Sequence, residues 1–213
     1  MNPGSQEASR VIDLVIREDE GGWTFTDRKN DAGGPTYGGM TFRALREWQR
    51  GRLGKIWTDA SFRQAARDAS AVLRADVVKC YHDSYWVAGG ANLVPSYLRR
   101  AHFSNCVNVG TKTGIKVLQE ACNAVLAPQL VVDGDFGAKT KAAAARLADL
   151  DPATVLMAFS DCCMRRYVRI VQANAREWRE AAQGARKAPR VLQAENLMGW
   201  WNRCRRYRRL DLD

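Results

Sequence analysis

The sequence predicts a mainly α-helical, lysozyme-like protein with a small loop or β-hairpin lobe after its first helix. Apolar residues recur at helical spacing along most of the 213 residues, beginning with Val11, Ile12, Val15 and Ile16. The segment 26–40, TDRKNDAGGPTYGGM, interrupts this pattern and is rich in glycine, asparagine and aspartate, the residues of turns. Helical periodicity then returns and continues, with short breaks, towards the C-terminus.

The predicted helices follow one another between these breaks. Gly21 is expected to end the first helix, since glycine is the residue most often found just past a helix C-terminus. Phe42, Leu45 and Trp48 repeat every third residue and start the next helical region, and Asp59 is a candidate N-cap further along. Further breaks are expected at residues 88–96, 110–114, 127–137 and 183–189.

The chain is strongly basic, with 33 lysine and arginine residues against 23 acidic ones and a net charge of +10. This balance favours a polyanionic partner through long-range attraction, and nucleic acid, an anionic membrane and the bacterial cell wall all qualify. No run of apolar residues approaches the roughly 18 that a membrane span needs, and residues 1–10 lack the pattern of a secretory signal. We therefore expect the protein to be made in the cytoplasm and released by another route.

The cysteine and histidine content gives no indication of a metal centre. Six cysteines and two histidines are present, without a C-x-x-C pair or another spacing typical of structural zinc. Buried, reduced thiols are the expectation for a chain folded in the cytoplasm. Walker, dinucleotide-binding and serine or cysteine nucleophile motifs are also missing from the sequence. No metal or cofactor is implied, and the chemistry is sought among the carboxylates.

The stretch VIREDEGGWTF, residues 15–25, contains the strongest catalytic candidate. Glu20 lies at a predicted helix end directly before Gly21 and Gly22, which would let a polymeric sugar approach the backbone closely. Cleaving a glycosidic bond requires an acid that protonates the leaving oxygen, and a glutamic acid stays protonated near neutral pH when apolar or aromatic surface desolvates it. Val15 and Trp23 offer such surface. The alternative is a solvated acid at a helix end.

Several motifs together resemble one known family. These are EGGW at 20–23, DAGGPTYGG at 31–39, YW at 85–86, FSNCVNVG at 103–110, VVDGDFG at 131–137 and NLMGWWNR at 196–203. In this order they are similar to the glycoside hydrolase family 108 N-acetylmuramidases with their C-terminal peptidoglycan-binding region. The resemblance extends over residues 11–208. Two positions depart from it: Ser104 stands where relatives often have aspartate, and Gly39 where an aliphatic residue is common.

The resemblance implies a muramidase region over residues 11–97 and a helical peptidoglycan-binding region over 98–210, packed together as one compact unit. Glu20 would be the general acid, and Asp31 with Thr36 would orient water on the opposite face of the sugar, in a single displacement. Asp31 is alternatively a turn former. Candidate substrate-binding residues are Trp23, Tyr37, Tyr85, Trp86 and Asn108, although aromatic residues at helix ends are also common core residues and an asparagine can cap a helix.

The two other acids of the opening stretch and the C-terminal segment are interpreted separately. Glu18 and Asp19 are assigned to solvent or to local salt bridges. The segment WWNRCRRYRRL, residues 200–210, combines arginines with Trp200, Trp201 and Tyr207. A basic helix bearing aromatic residues can lie on an anionic membrane or wall surface, but arginines near a helix C-terminus also simply suit the helix dipole.

The expected function is hydrolysis of the β-1,4 bond between N-acetylmuramic acid and N-acetylglucosamine in peptidoglycan, by a monomer without nucleic-acid partners. The absence of a signal pattern fits a phage endolysin that reaches the periplasm through holin pores and lyses the host. A lytic transglycosylase and a non-catalytic wall-binding protein are the alternatives. Nucleic-acid binding is suggested by charge alone and leaves the glycine-rich loop after Glu20 unexplained.

Overall fold

The computed structural model describes residues 3–27, 33–50, 52, 56–183 and 193–208. It confirms the mainly α-helical class and the small β lobe after the first helix. The helices are α1 (Pro3–Asp19), α2 (Phe42–Gln49), α3 (Asp59–Arg67), α4 (Ala71–Tyr81), α5 (Ser96–Val109), α6 (Thr111–Val125), α7 (Ala138–Arg146), α8 (Pro152–Ala182) and α9 (Leu197–Tyr207). Within the described ranges, no helix is both long enough and apolar enough to span a bilayer.

The β lobe is a three-stranded antiparallel sheet. Its strands are β1 (Phe25–Thr26), β2 (Thr36–Tyr37) and β3 (Met40–Thr41), paired in sequence order. Tyr37 lies opposite Phe25 on one side and opposite Met40 on the other. The turn between β2 and β3 consists of Gly38 and Gly39, which both have positive φ angles, the conformation that favours glycine.

The chain divides into two compact units, each built from two segments. The first contains Met1–Asn92 and His102–Thr111, and the second Leu93–Ala101 and Lys112–Asp213. Helix α5 therefore contributes residues to both units. The division into a muramidase region over residues 11–97 and a peptidoglycan-binding region over residues 98–210 stays a prediction.

The core of the first unit forms around the apolar stripe of α1. Ile12, Val15 and Ile16 are completely buried, together with Leu45 of α2 and Phe62 of α3. Helices α2, α3 and α4 begin at side-chain caps, because a hydroxyl oxygen satisfies an otherwise unpaired backbone N–H. The predicted cap at Asp59 is wrong: Thr58 occupies that position and forms a reciprocal capping box with Ser61, which leaves Asp59 as the first residue of α3.

The second unit packs α9 against α8. The Tyr167 and Trp200 rings stack with centroids 4.7 Å apart, and the Ser160 hydroxyl donates to the Cys204 carbonyl at 2.9 Å. The segment VVDGDFG is a structural turn before α7, because Gln119 donates to an Asp133 carboxylate oxygen at 2.8 Å and accepts from the Gly134 N–H at 2.9 Å. All six cysteines are buried and unpaired with one another.

Candidate active site

Glu20 is fixed by the way α1 ends. Its backbone N–H donates to the Val15 carbonyl at 3.2 Å, and the Gly22 N–H donates to the Ile16 carbonyl at 2.8 Å. Gly21 has a φ of +79°, so it ends the helix in the left-handed conformation, as the sequence predicts. Because Val15 and Ile16 are completely buried, the turn that carries Glu20 is attached to the core of the first unit.

The β2–β3 turn lies directly against the Glu20 side chain. Gly39 has a φ of +74°, and a Cβ atom at this position would lie only 2.6 Å from Glu20 Cβ and 2.7 Å from Tyr81 Oη. A side chain here would therefore displace both groups. Relatives commonly have an aliphatic residue where this chain has Gly39. In this chain, the close approach of Glu20 and Tyr81 leaves no room for such a side chain.

Tyr81 holds the same turn from the core side. It is 1% exposed, and its hydroxyl donates to the Gly38 carbonyl at 3.1 Å. The Trp23 ring covers the opposite side of this turn, since a Cβ atom at Gly38 would lie 2.9 Å from it. Trp23 is itself fixed, because its indole N–H donates to an Asp13 carboxylate oxygen at 2.8 Å. Glu20 thus faces a turn that is supported on both sides.

A π-helix follows α4 and brings a second tyrosine to Glu20. The segment His82–Val87 adopts this rare form, which often occurs at functional sites. It places the Tyr85 ring 5.8 Å from the Tyr81 ring, measured between centroids. Burial raises the pKa of Tyr85, and the negative charge of the nearby Glu20 carboxylate raises it further. The Tyr85 phenol is therefore a protonated hydrogen-bond donor near Glu20 at neutral pH.

The thiols beside Tyr85 do not supply a nucleophile. Burial raises the pKa of Cys80 to about 11 and that of Cys106 to about 12. Both groups therefore remain neutral thiols, which are poor nucleophiles. Within the described ranges, no group of three or more His, Cys, Asp or Glu residues is arranged to hold a metal ion.

Thr36 and Asp31 are the other two residues proposed to take part in catalysis. Thr36 lies in β2, where its hydroxyl donates to the Gly34 carbonyl at 3.0 Å. Asp31 lies outside the described residues. Asp27, the acid at the end of β1, forms an ion pair with Arg63 of α3. It therefore ties the β lobe to the helical part of the first unit.

The structure separates the candidate substrate-binding residues into two groups. Tyr37 and Trp86 are 1% and 2% exposed and belong to the core of the first unit. The core encloses both rings, which agrees with the alternative that they are core residues, and a role in substrate binding stays a prediction. Trp23, Tyr85 and Asn108 are partly exposed, and Asn108 lies within the last turn of α5 rather than at a helix N-terminus.

One residue of the opening stretch has a role that the sequence interpretation missed. Asp19 was assigned to solvent or to a local salt bridge, but it accepts a hydrogen bond of 2.6 Å from the completely buried Ser104 hydroxyl of α5. This bond connects the end of α1, one residue before Glu20, to a helix 85 positions away in sequence. The sequence signal for this bond is Ser104 itself, which stands where relatives often have aspartate. A serine hydroxyl can donate a hydrogen bond to Asp19, whereas an ionised aspartate would repel it.

Comparisons with known proteins match two domain families to this chain. Residues 14–110 match the family described as glycosyl hydrolase 108, and residues 113–205 match a predicted peptidoglycan domain. The fold is similar to that in the "Structure of Brucella abortus SagA", with a TM-score of 0.61 and 20% identity over 96% of this chain and 92% of that chain. The comparison with curated proteins finds no match. The resemblance drawn from the sequence motifs is confirmed.

We expect Gly39→Ala to lower turnover by about 100-fold, because displacement of a catalytic group by about 1 Å has effects of this size. The matched control is Gly110→Ala, since Gly110 also has a positive φ, of +82°, but nothing lies near its Cβ position. Muropeptide release per folded molecule is the measurement. Equal activities of the two variants would show that Gly39 does not position Glu20.

We expect Tyr81→Phe to lower both stability and turnover. It leaves the Gly38 carbonyl without its phenol donor, which destabilises the fold by about 1–3 kcal/mol and loosens the turn against Glu20. Tyr97→Phe is the control, because that phenol also donates to a backbone carbonyl, of Leu147 at 2.6 Å, within the second unit. Thermal unfolding should show a loss in both variants, whereas kcat should fall only for Tyr81→Phe. A parallel fall in kcat for both would contradict the positioning role.

Proposed function

Because this chain belongs to the glycosyl hydrolase 108 family through its first domain and continues into a peptidoglycan domain, we propose that it is an N-acetylmuramidase. The proposed reaction is hydrolysis of the β-1,4 bond between N-acetylmuramic acid and N-acetylglucosamine. The two domains support a glycoside hydrolase that acts on peptidoglycan. The observation that carries the more specific proposal is the packing of Glu20 against the β2–β3 glycine turn, which the Tyr81 hydroxyl and the Trp23 ring also contact.

Glu20 is proposed to act as the general acid. Its carboxyl group would protonate the glycosidic oxygen as positive charge develops on the sugar ring. Gly21 and Gly22 carry no side chains to obstruct a polymer that approaches the carboxyl group. The neutral Tyr85 phenol can donate a hydrogen bond to Glu20 after the proton has left, which would stabilise the carboxylate that forms.

The attacking water requires a group on the other face of the sugar. We assign this role to Asp31, which precedes β2 in the glycine-rich part of the sequence, with Thr36, the first residue of β2. A water molecule between the sugar and this second carboxylate corresponds to a single-displacement reaction with inversion. The Glu20 turn and Thr36 are linked through the β sheet, because β1 follows Glu20 closely in the chain and pairs with β2.

We further propose that the protein is a phage endolysin that acts as a monomer in the periplasm. The net charge of +10 would concentrate it on the anionic cell wall. Release through holin-type pores would then bring the enzyme to its substrate at the end of infection. The expected outcome is lysis of the host cell.

Helix α9 is proposed to contribute to surface association. Met198, Trp201 and Arg205 are all exposed, and their spacing of three and four residues places them on one helix face. Trp200 and Tyr207 instead pack inside the second unit, against Tyr167 and Phe159. An outward face with apolar and cationic groups suits an anionic membrane or wall surface.

We expect Arg205→Glu to weaken association with purified sacculi at physiological salt by about fivefold, since one basic residue near an anionic surface contributes about 1 kcal/mol. Lys141→Glu on α7 makes the same charge change at another exposed position and should have a smaller effect. Co-sedimentation over a salt series is the measurement. Equal losses in the two variants would leave only a general charge effect and contradict a specific role for α9.

We expect Glu20→Gln to reduce muropeptide release by about 100- to 10,000-fold, the range typical of general acid–base catalysis. Binding to sacculi should be unchanged. Glu18→Gln is the matched control, because Glu18 is an exposed acid at the end of the same helix, and this variant should keep parental activity. An unchanged release rate for Glu20→Gln would disprove the assignment of the general acid.

A further inference from the structure

A large cavity of the first unit lies between α1 and α4, and Glu20 is not among its lining residues. It has a volume of about 1020 Å³, at the upper end of the range for ligand-binding clefts. Its lining is mainly apolar and includes the buried Ile12 and the partly buried Val78, with the small side chains of Ala71 and Ala75. An open groove of this size suits an extended ligand rather than a single small molecule.

The charged groups of this groove are predominantly cationic. Arg10, Arg74 and Lys79 are exposed along it. Among its lining residues the only acid is Asp13, whose carboxylate binds the Arg17 guanidinium at 2.7 Å and the Trp23 indole N–H at 2.8 Å. The lining therefore carries three basic side chains against one acid, and that acid already binds two other groups. Carboxylates would be attracted to its rim while apolar side chains contact its floor.

Trp23 connects the groove to the catalytic turn. It is one of the lining residues of the groove, and its ring also packs against Gly38, where a Cβ atom would lie 2.9 Å away. The next residue, Gly39, contacts Glu20. Trp23 therefore contacts both the groove and the turn that packs on Glu20.

We propose that this groove binds the peptide stems of peptidoglycan through their carboxylates, an inference that rests on the proposed muramidase function. Stem peptides combine free carboxylates with small apolar side chains such as alanine, which match the cationic rim and the alanine-rich floor. A bare sugar fits less well, because the Arg74 guanidinium lies 4.8 Å from the centre of the Trp23 ring and covers a face on which a sugar would stack. The groove thus selects strands that carry peptides.

The test compares glycan strands that carry their stems with the same strands after an amidase has removed them. The full-length parent should show a lower KM for the intact strands. Lys79→Glu should raise KM on intact strands by about three- to fivefold, the effect expected from the loss of one exposed ionic contact. Ala75→Phe, which fills the floor of the groove, should raise KM on intact strands by a similar factor. Neither variant should change KM or kcat on stripped strands.

Lys139→Glu is the control for charge, since Lys139 is an exposed residue of α7 in the second unit. It should leave the ratio of the two KM values at the parental level. An equal ratio in the parent and in both groove variants would overturn the proposal. A loss of binding to anionic phospholipid vesicles in the groove variants, with an unchanged KM ratio, would also overturn it and assign the groove to lipid instead.

A direct binding measurement separates this proposal from the proposed function. Glu20→Gln protein and its double variant with Lys79→Glu are titrated with an isolated stem peptide in a calorimeter. Weaker binding by the double variant supports the groove, even if no strand is cut by the parent and the muramidase assignment fails. Identical binding, or no binding by either protein, contradicts the groove whatever the enzymatic activity.

Discussion

The close packing of the Glu20 side chain on the backbone of Gly39 is the constraint on which the candidate active site depends. A carboxyl group at a helix end would ordinarily be mobile and solvated. Here the end of α1, the β2–β3 turn and the Tyr81 hydroxyl meet at one point, so that a single Cβ atom at Gly39 would lie within 2.7 Å of both side chains. Preorganisation of this kind is how an enzyme reduces the cost of aligning a catalytic group with its substrate.

The rest of the first unit supports this contact in layers. The buried residues Val15 and Ile16 hold the last turns of α1, and the Ser104–Asp19 hydrogen bond holds its end from α5. Tyr81 connects α4 to the glycine turn, and the π-helix after it adds Tyr85 to the surroundings of Glu20. Trp23 completes the support from outside and borders the cationic groove. The catalytic turn and the proposed stem-binding groove therefore share one wall.

Much of this arrangement could be predicted from the sequence because its signals are local. Helical periodicity predicts the helices, Gly21 predicts the end of α1, and the glycine-rich segment predicts the β lobe. Glu20 could be selected because it directly precedes two glycines and heads a recognisable series of motifs. The choice of Asp59 as a cap was wrong by one residue, because Thr58 and Asp59 are both good capping residues and only the Ser61 partner decides between them.

The remaining features depend on contacts between distant parts of the chain. The sequence does not reveal that Tyr81 reaches Gly38, 43 positions away, or that Ser104 reaches Asp19. The sequence left open whether Tyr37 and Trp86 are buried for the same reason, since an aromatic residue near a turn can face either the core or a ligand. The π-helix has no periodic signal of its own, because one irregular turn does not change the apolar pattern of α4.

The most direct test of the central claim is mass spectrometry of the muropeptides that the parent protein releases from sacculi in oxygen-labelled water. A muramidase that uses Glu20 as general acid and water as nucleophile should release products with a reducing N-acetylmuramic acid end that carries one labelled oxygen. Unlabelled products with a 1,6-anhydro end would contradict the account, because the sugar would then have been displaced by its own hydroxyl group without attack by water.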